Sequence, residues 1–200
     1  MMCYPGYELF TMTLHRDSRN YLEIGVFEGD GLKHLAAAAP HKSIFGVDPF
    51  VEDGFTAHTS GESQNDRMSQ IEITANNNIK DSTNAVLFTM TSQEFADMLT
   101  DEMVEMMDIG HILIDGSHHY EDVRVDYELA MRLLNQRPGI IVFDDVNLEG
   151  VKQAHDEFIN KYSAKIDKTI DIYTREPGHI FAHFLNGHPD ANFYHSQTNP

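Results

Sequence analysis

Short apolar runs alternate along the chain with stretches whose apolar residues recur every three to four positions, the pattern of buried strands linked by amphipathic helices. Tyr21 to Ile24 is the first run and ends at Gly25; a helical stretch over Leu32 to Ala39 follows and closes at Pro40. Ser43 to Val47 predicts a second strand, ending at Asp48, and Ala85 to Thr89 a third, followed by a helix over Ser92 to Leu99 that Ser92 is placed to cap. Asp108 to Ile114 predicts the fourth strand, and Val123, Tyr127, Ala130, Met131 and Leu134 mark one apolar face of a helix over Tyr120 to Leu134. After Pro138 and Gly139, Ile140 to Phe143 is a continuous apolar run of the kind buried on both faces of a sheet. A helix over Leu148 to Tyr162 precedes two strands, Thr169 to Thr174 and His179 to Leu185, whose tight link at 175–178 implies an antiparallel hairpin. The predicted fold class is α/β, a mostly parallel sheet with helices on both faces and a C-terminal antiparallel hairpin. One domain is expected over 1–200, with its core at about 20–185. The polar stretch 51–83, with one helix around Asp66 to Ile79, is expected to be a lid or insertion, and 186–200 a loosely attached polar tail.

Charge narrows the partners. Fourteen basic against 32 acidic residues leave a net charge of −18, which repels phosphate backbones and anionic headgroups, so no nucleic acid and no membrane surface is expected. The lone Cys3 cannot close an internal disulfide and no basic segment precedes an apolar run near the start, so a reducing cytoplasm is expected.

In a parallel sheet flanked by helices, ligands bind outside the carboxyl ends of the strands, and here that rim is acidic. The first turn reads Glu23-Ile24-Gly25-Val26-Phe27-Glu28-Gly29-Asp30-Gly31, and Phe27 and Asp30 stand where a dinucleotide fingerprint needs glycine. Glu28 and Asp30 place negative charge where a phosphate would sit, so a cationic or zwitterionic ligand is expected. Asp48 stands where a carboxylate can accept two hydrogen bonds from a ribose diol. An adenosyl group bearing a sulfonium and an amino acid tail suits both features, against the plainer reading of a tight β-α connection and an Asp-Pro turn.

The segments Tyr21 to Gly29, Gly46 to Asp48, Ile114 to Val123 (Ile-Asp-Gly-Ser-His-His-Tyr-Glu-Asp-Val) and Arg137 to Val146 (Arg-Pro-Gly-Ile-Ile-Val-Phe-Asp-Asp-Val) resemble the class I S-adenosylmethionine (SAM)-dependent methyltransferases, with their Rossmann-like fold. They are most similar to the methyltransferase 24 family, related to macrolide-sugar and aminocoumarin-sugar O-methyltransferases. The resemblance covers about Asn20 to Leu185 and implies a seven-stranded sheet, Glu23 and Gly25 near the methionine moiety, and Asp48 on the ribose. Gly29, Ser92 and Asp115 complete the expected cofactor contacts. Ile140 departs from the family's usual Pro-Gly-Gly before the fifth strand.

Asp115 ends the fourth strand and Asp144 with Asp145 ends the fifth. Three carboxylates converging there repel one another unless a cation joins them, and oxygen-only ligation suits Mg²⁺. A hydroxyl held by such a cation ionises more readily, which is how a sugar or phenol could attack a methyl group near neutral pH. The resemblance supports metal ligands at these positions; the alternative is helix capping and cofactor contact. His118 is the candidate general base, with Asp115 beside it, while His119 or the metal alone are alternatives. A zinc site of His118, His119, Asp122 and Asp126 has helical spacing but lacks a metalloprotease Glu. The resulting expectation is a SAM- and Mg²⁺-dependent O-methyltransferase acting on a small hydroxylated molecule, its oligomeric state open. Its rivals are a catalytically silent SAM-binding module and a metal-dependent hydroxylase-like relative, the latter disfavoured because no two-His-one-carboxylate triad is visible.

Overall fold

The computed structural model describes residues 5–51, 64–173 and 179–196. Helix α1 (Pro5–Leu14) leads into β1 (Asn20–Ile24), α2 (Asp30–Ala38), β2 (Ile44–Val47), α3 (Gln64–Ile79) and β3 (Ala85–Phe88). Then come α4 (Ser92–Met98), α5 (Asp101–Met107), β4 (Ile109–Ile114), α6 (Tyr120–Leu134), β5 (Gly139–Phe143), α7 (Glu149–Tyr162), β6 (Ile166–Tyr173) and β7 (His179–Leu185). The strands form one sheet in the order β3-β2-β1-β4-β5-β7-β6. The first five are parallel, and β7 runs antiparallel to both β5 and β6, giving a Rossmann-like sheet closed by a hairpin.

Alternating strand residues feed two cores. Tyr21, Ile44 and Leu113 pack with Leu9, Phe10, Leu32, Leu35 and Ile71 of α1, α2 and α3. Their neighbours Leu22, Ile112 and Ile114 pack on the other face with Phe95, Val104, Tyr127 and Phe158 of α4 to α7. Every residue of β4 and β5 is buried, which is why those strands read as unbroken apolar runs. The connections leave β1 and β4 toward opposite edges, so a crevice opens at the carboxyl ends of these two central strands.

The structure departs from the expected elements where periodicity is weak. Helix α1 was not expected, yet Leu9, Phe10 and Leu14 are buried at helical spacing against α2 and β4. Helix α5 buries Val104 alone and starts at a Thr100 cap, which accepts the Met103 N–H at 3.2 Å. Thr91, not Ser92, caps α4: its hydroxyl accepts the Glu94 N–H at 3.1 Å while the Glu94 carboxylate accepts the Thr91 N–H at 2.9 Å. Within 51–83, Ile71, Ala75 and Ile79 of α3 are buried, so that part is a packed helix; residues 52–63 lie outside the described residues. In the stretch expected as a loose tail, His188, Asp190 and Ala191 are buried, the His188 ring lying 5.4 Å from that of Phe184.

Two buried histidines tie α7 to the hairpin. His155 Nε2 and His183 Nε2 are 2.9 Å apart, and His183 Nδ1 is 2.9 Å from the Thr169 hydroxyl, inside an aromatic box of Phe143, Phe158 and Phe181. Burial pushes His155 down to about 4 and His183 down to about 3, so both rings are neutral. Among the described residues no helix is long and apolar enough to cross a membrane.

Candidate active site

The end of β1 is built around a backbone that only glycine allows. Gly25 has φ +88°, and a Cβ there would fall on the Asp115 carbonyl, so the first turn and the β4 end are in van der Waals contact. Gly31, in the first turn of α2, leaves room for the Tyr7 ring of α1. The Tyr7 hydroxyl donates to Glu23 at 2.8 Å, and the Tyr21 hydroxyl lies 3.3 Å from the other carboxylate oxygen. Glu23 is 1% exposed. Burial pushes its carboxyl up to about 8 against the lowering effect of the two hydroxyls, with the Asp48 charge adding to the rise. The same burial, with the Glu23 carboxyl beside it, raises the Tyr7 hydroxyl, which stays protonated as a donor.

Asp48, at the end of β2, holds the turn in shape. One carboxylate oxygen accepts the N–H groups of Val26 and Phe27 at 2.7 and 3.0 Å, and the other accepts the Phe50 N–H at 2.7 Å. A carboxylate has about four acceptor sites, so one is left for a ligand where two were expected. The turn also holds Phe27, a residue of the cavity wall, at φ +49° and 53% exposed.

The ends of β4 and β5 bring three acids together. One oxygen each of Asp115, Asp144 and Asp145 lies within 4.8 Å of the others. Asp145 takes φ +51°, a conformation that Asp tolerates, and donates its N–H to Asp144 at 2.7 Å. Removal from water, then Asp144, Glu23 and Asp145, hold the Asp115 carboxyl well above the usual carboxylate range. Such a set is stable only with a proton or a cation among its oxygens, and an all-oxygen donor set fits Mg²⁺. His118 Nε2 lies 3.3 Å from Asp145 Oδ2. Gly150 of α7 backs the His118 carbonyl so closely that no Cβ would fit, which fixes the loop carrying that ring.

These groups line one cavity of about 760 Å³. Glu23, Gly25, Asp48, Ser92, Asp115, His118 and Asp145 are on its wall; Gly29 and Asp144 are not. Gly29 instead turns the chain into α2 at φ +78° and lets Ala75 of α3 approach. The imagined zinc quartet does not assemble: Ser117 donates to Asp122 at 2.7 Å and accepts the His119 N–H at 3.2 Å, an ordinary helix entry. Tyr7, from outside the recognisable motifs, also lines the cavity although nothing in the sequence pointed to it; Asp126, which the sequence offered only as a zinc ligand, lines it from among the apolar positions of α6.

A two-His-one-carboxylate set does exist, at the opposite end of the sheet: Asp17, His111 and His188. It does not suit a metal. Asp17 is taken by Arg19 at 2.6 Å, and His188 Nδ1 accepts the Asp190 N–H at 3.2 Å, which leaves the proton on Nε2, the nitrogen facing Asp17.

A family profile described as a methyltransferase domain matches residues 22–146. A curated relative, the uncharacterized protein R132 of Acanthamoeba polyphaga mimivirus, is 29% identical over 133 residues, covering 66% of this chain and 54% of its own length. The chain thus spans about half of that relative. Among solved structures, cofactor-bound Rv0187 from MTB superposes with a TM-score of 0.67 at 14% identity, over 94% of this chain and 82% of that one. The O-methyltransferase TomG from Streptomyces achromogenes, in complex with SAM, gives 0.63 at 16% identity over 94% and 82%. An O-methyltransferase from Bacillus cereus in complex with SAH gives 0.58 at 16% identity over 92% and 82%.

Proposed function

The chain belongs to the methyltransferase 24 family, and from that premise we propose that it is a SAM-dependent O-methyltransferase, aided by Mg²⁺, whose acceptor is a small hydroxylated molecule of sugar or phenol type. The observation that carries the reading is the single cavity that gathers Glu23, Asp48, Asp115, Asp145 and His118 at the strand ends. Its volume is within the range of cofactor sites, roughly 300–1,000 Å³. Its acidic wall suits a sulfonium and an ammonium and repels phosphate.

In this reading Glu23 pairs with the ammonium of the amino acid tail, and Asp48 accepts one ribose hydroxyl while its other bonds hold the turn. Asp115, Asp144 and Asp145 would hold the cation, which would neutralise them and favour ionisation of the acceptor hydroxyl. His118 takes the hydroxyl proton on Nε2 as the acceptor oxygen attacks the methyl carbon in line and the C–S bond breaks to release S-adenosylhomocysteine, and Asp145 beside that nitrogen stabilises the imidazolium formed. Orientation of the two reactants supplies most of the rate. An acidic protein with a lone cysteine fits a free metabolite in a reducing cytoplasm better than nucleic acid or a membrane surface.

The test is methyl transfer from isotopically labelled SAM to a panel of catechols and sugars, with Mg²⁺ and with chelator, beside calorimetry of SAM binding. A labelled ether product is expected, and His118→Ala should lower kcat by about 10²–10⁴. Absence of both SAM binding and product would overturn the reading.

A further inference from the structure

We propose that Asp126 of α6 reads the exocyclic amino group of the cofactor's adenine, an inference that rests on the adenosyl reading above. If Glu23 marks the amino acid end and Asp48 the ribose, the base extends toward the wall made by Thr91, Ser92 and Gln93 after β3 and by Gly116 and Ser117 after β4. Asp126 is the acid behind that wall. It lines the cavity yet is 2% exposed, and its Oδ1 is buried with no hydrogen-bond partner among the described residues. The Ser92 hydroxyl is hydrogen-bonded to the same carboxyl. Gly116, also on the cavity wall, lies beside it without a side chain: a Cβ there would be 3.7 Å from Asp126 Oδ2.

An apolar residue would be the default at this place, between the buried Val123 and Tyr127 on the inner face of α6. A buried carboxylate oxygen without a donor is costly, so a ligand N–H is what the position lacks. Burial pushes the carboxyl up to about 7, and a donor from the ligand would draw it to the ionised form. An aromatic amine supplies that donor. A 6-oxo purine offers an acceptor instead, and above about pH 8, where the carboxyl is ionised, that leaves two acceptors facing each other, so the site discriminates by what it leaves unpaired.

Calorimetry at about pH 8.5, where the Asp126 carboxyl is ionised, with S-adenosylhomocysteine, its 6-oxo counterpart S-inosylhomocysteine and its 6-deamino counterpart tests this. Wild type should bind the adenosyl compound about tenfold to a hundredfold more tightly than either analogue. Asp126→Asn, whose amide can both accept and donate, should bring the adenosyl-to-inosyl ratio to within about threefold. A structural role alone would weaken all three ligands and leave their ratios unchanged, and that result would overturn the proposal. Equal affinity of wild type for the adenosyl and deamino compounds would overturn it without any variant. Wild type that binds neither SAM nor S-adenosylhomocysteine would instead sink the adenosyl reading, and this inference with it.

Discussion

Cofactor affinity should depend on pH through Glu23. In the empty cavity its carboxyl sits at about 8, so at pH 7 it is mostly protonated. Pairing with an ammonium requires the carboxylate, and binding must therefore expel about 0.9 proton at pH 7. The ionised fraction falls from about one half at pH 8 to about 1% at pH 6, which makes binding about 50-fold weaker over that range. Calorimetry in chelator, repeated in buffers of different ionisation enthalpy, counts the proton directly. Glu23→Gln keeps an acceptor for the Tyr7 hydroxyl but cannot ionise, so it should bind weakly at both pH values with a flat profile. Stability supplies a second reading of opposite sense. Glu23's folded value lies above the ordinary 4.5, so the empty folded state holds the proton more tightly than the unfolded chain. Stability should then fall as pH rises from about 4.5 to 8, at about 1.4 kcal/mol per unit from this group, and Glu23→Gln should remove that slope. A wild type whose affinity is the same at pH 6 and pH 8, with no proton released, would refute the reasoning.

Gly25→Ala should destabilise the protein by about 2 kcal/mol or more and lose cofactor binding, because φ +88° and the Asp115 carbonyl both exclude a side chain; urea unfolding measures it, and a neutral result would contradict the geometry. Asp115→Ala and Asp145→Ala should each abolish a Mg²⁺-dependent rise in melting temperature, and full methyl transfer by chelator-treated wild type would remove the cation from the reaction. His155 and His183 are held neutral when folded but titrate near 6.5 when unfolded, so below pH 6.5 the unfolded chain takes up protons first. Each ring should cost about 1.4 kcal/mol of stability per pH unit down toward its folded value, and His155→Phe should flatten the acid limb relative to wild type in urea titrations from pH 7 to 5.

What could be read from the sequence follows from where single residues decide the outcome. Leu113 and Val142 lie on strands buried on both sides, and such runs declare themselves by composition alone. Asp48, Asp115 and Asp145 were legible because strand ends are where parallel sheets put their chemistry. Tyr7 was not, since nothing in a short amphipathic helix before β1 signals that its hydroxyl reaches Glu23. Asp126 was visible only as one of four residues at the helical spacing of a zinc site that does not assemble, and the three backbone donors on Asp48 depend on turn dihedrals that no local pattern encodes. The His118 to Asp145 contact joins two loops whose separation is set by the pairing of β4 with β5.

The place of β7 between β5 and β6 bears on how the molecule is made. Until residues 166–185 have emerged, β5 is an open edge whose backbone groups await a partner on one side. The half-assembled sheet therefore presents a sticky apolar border beside the nascent pocket, the kind of surface that invites a second unfinished chain or a chaperone. Slow synthesis, or a substitution such as His183→Asp that delays docking of the hairpin, would lengthen that exposure and lower soluble yield before it altered any property of the finished fold.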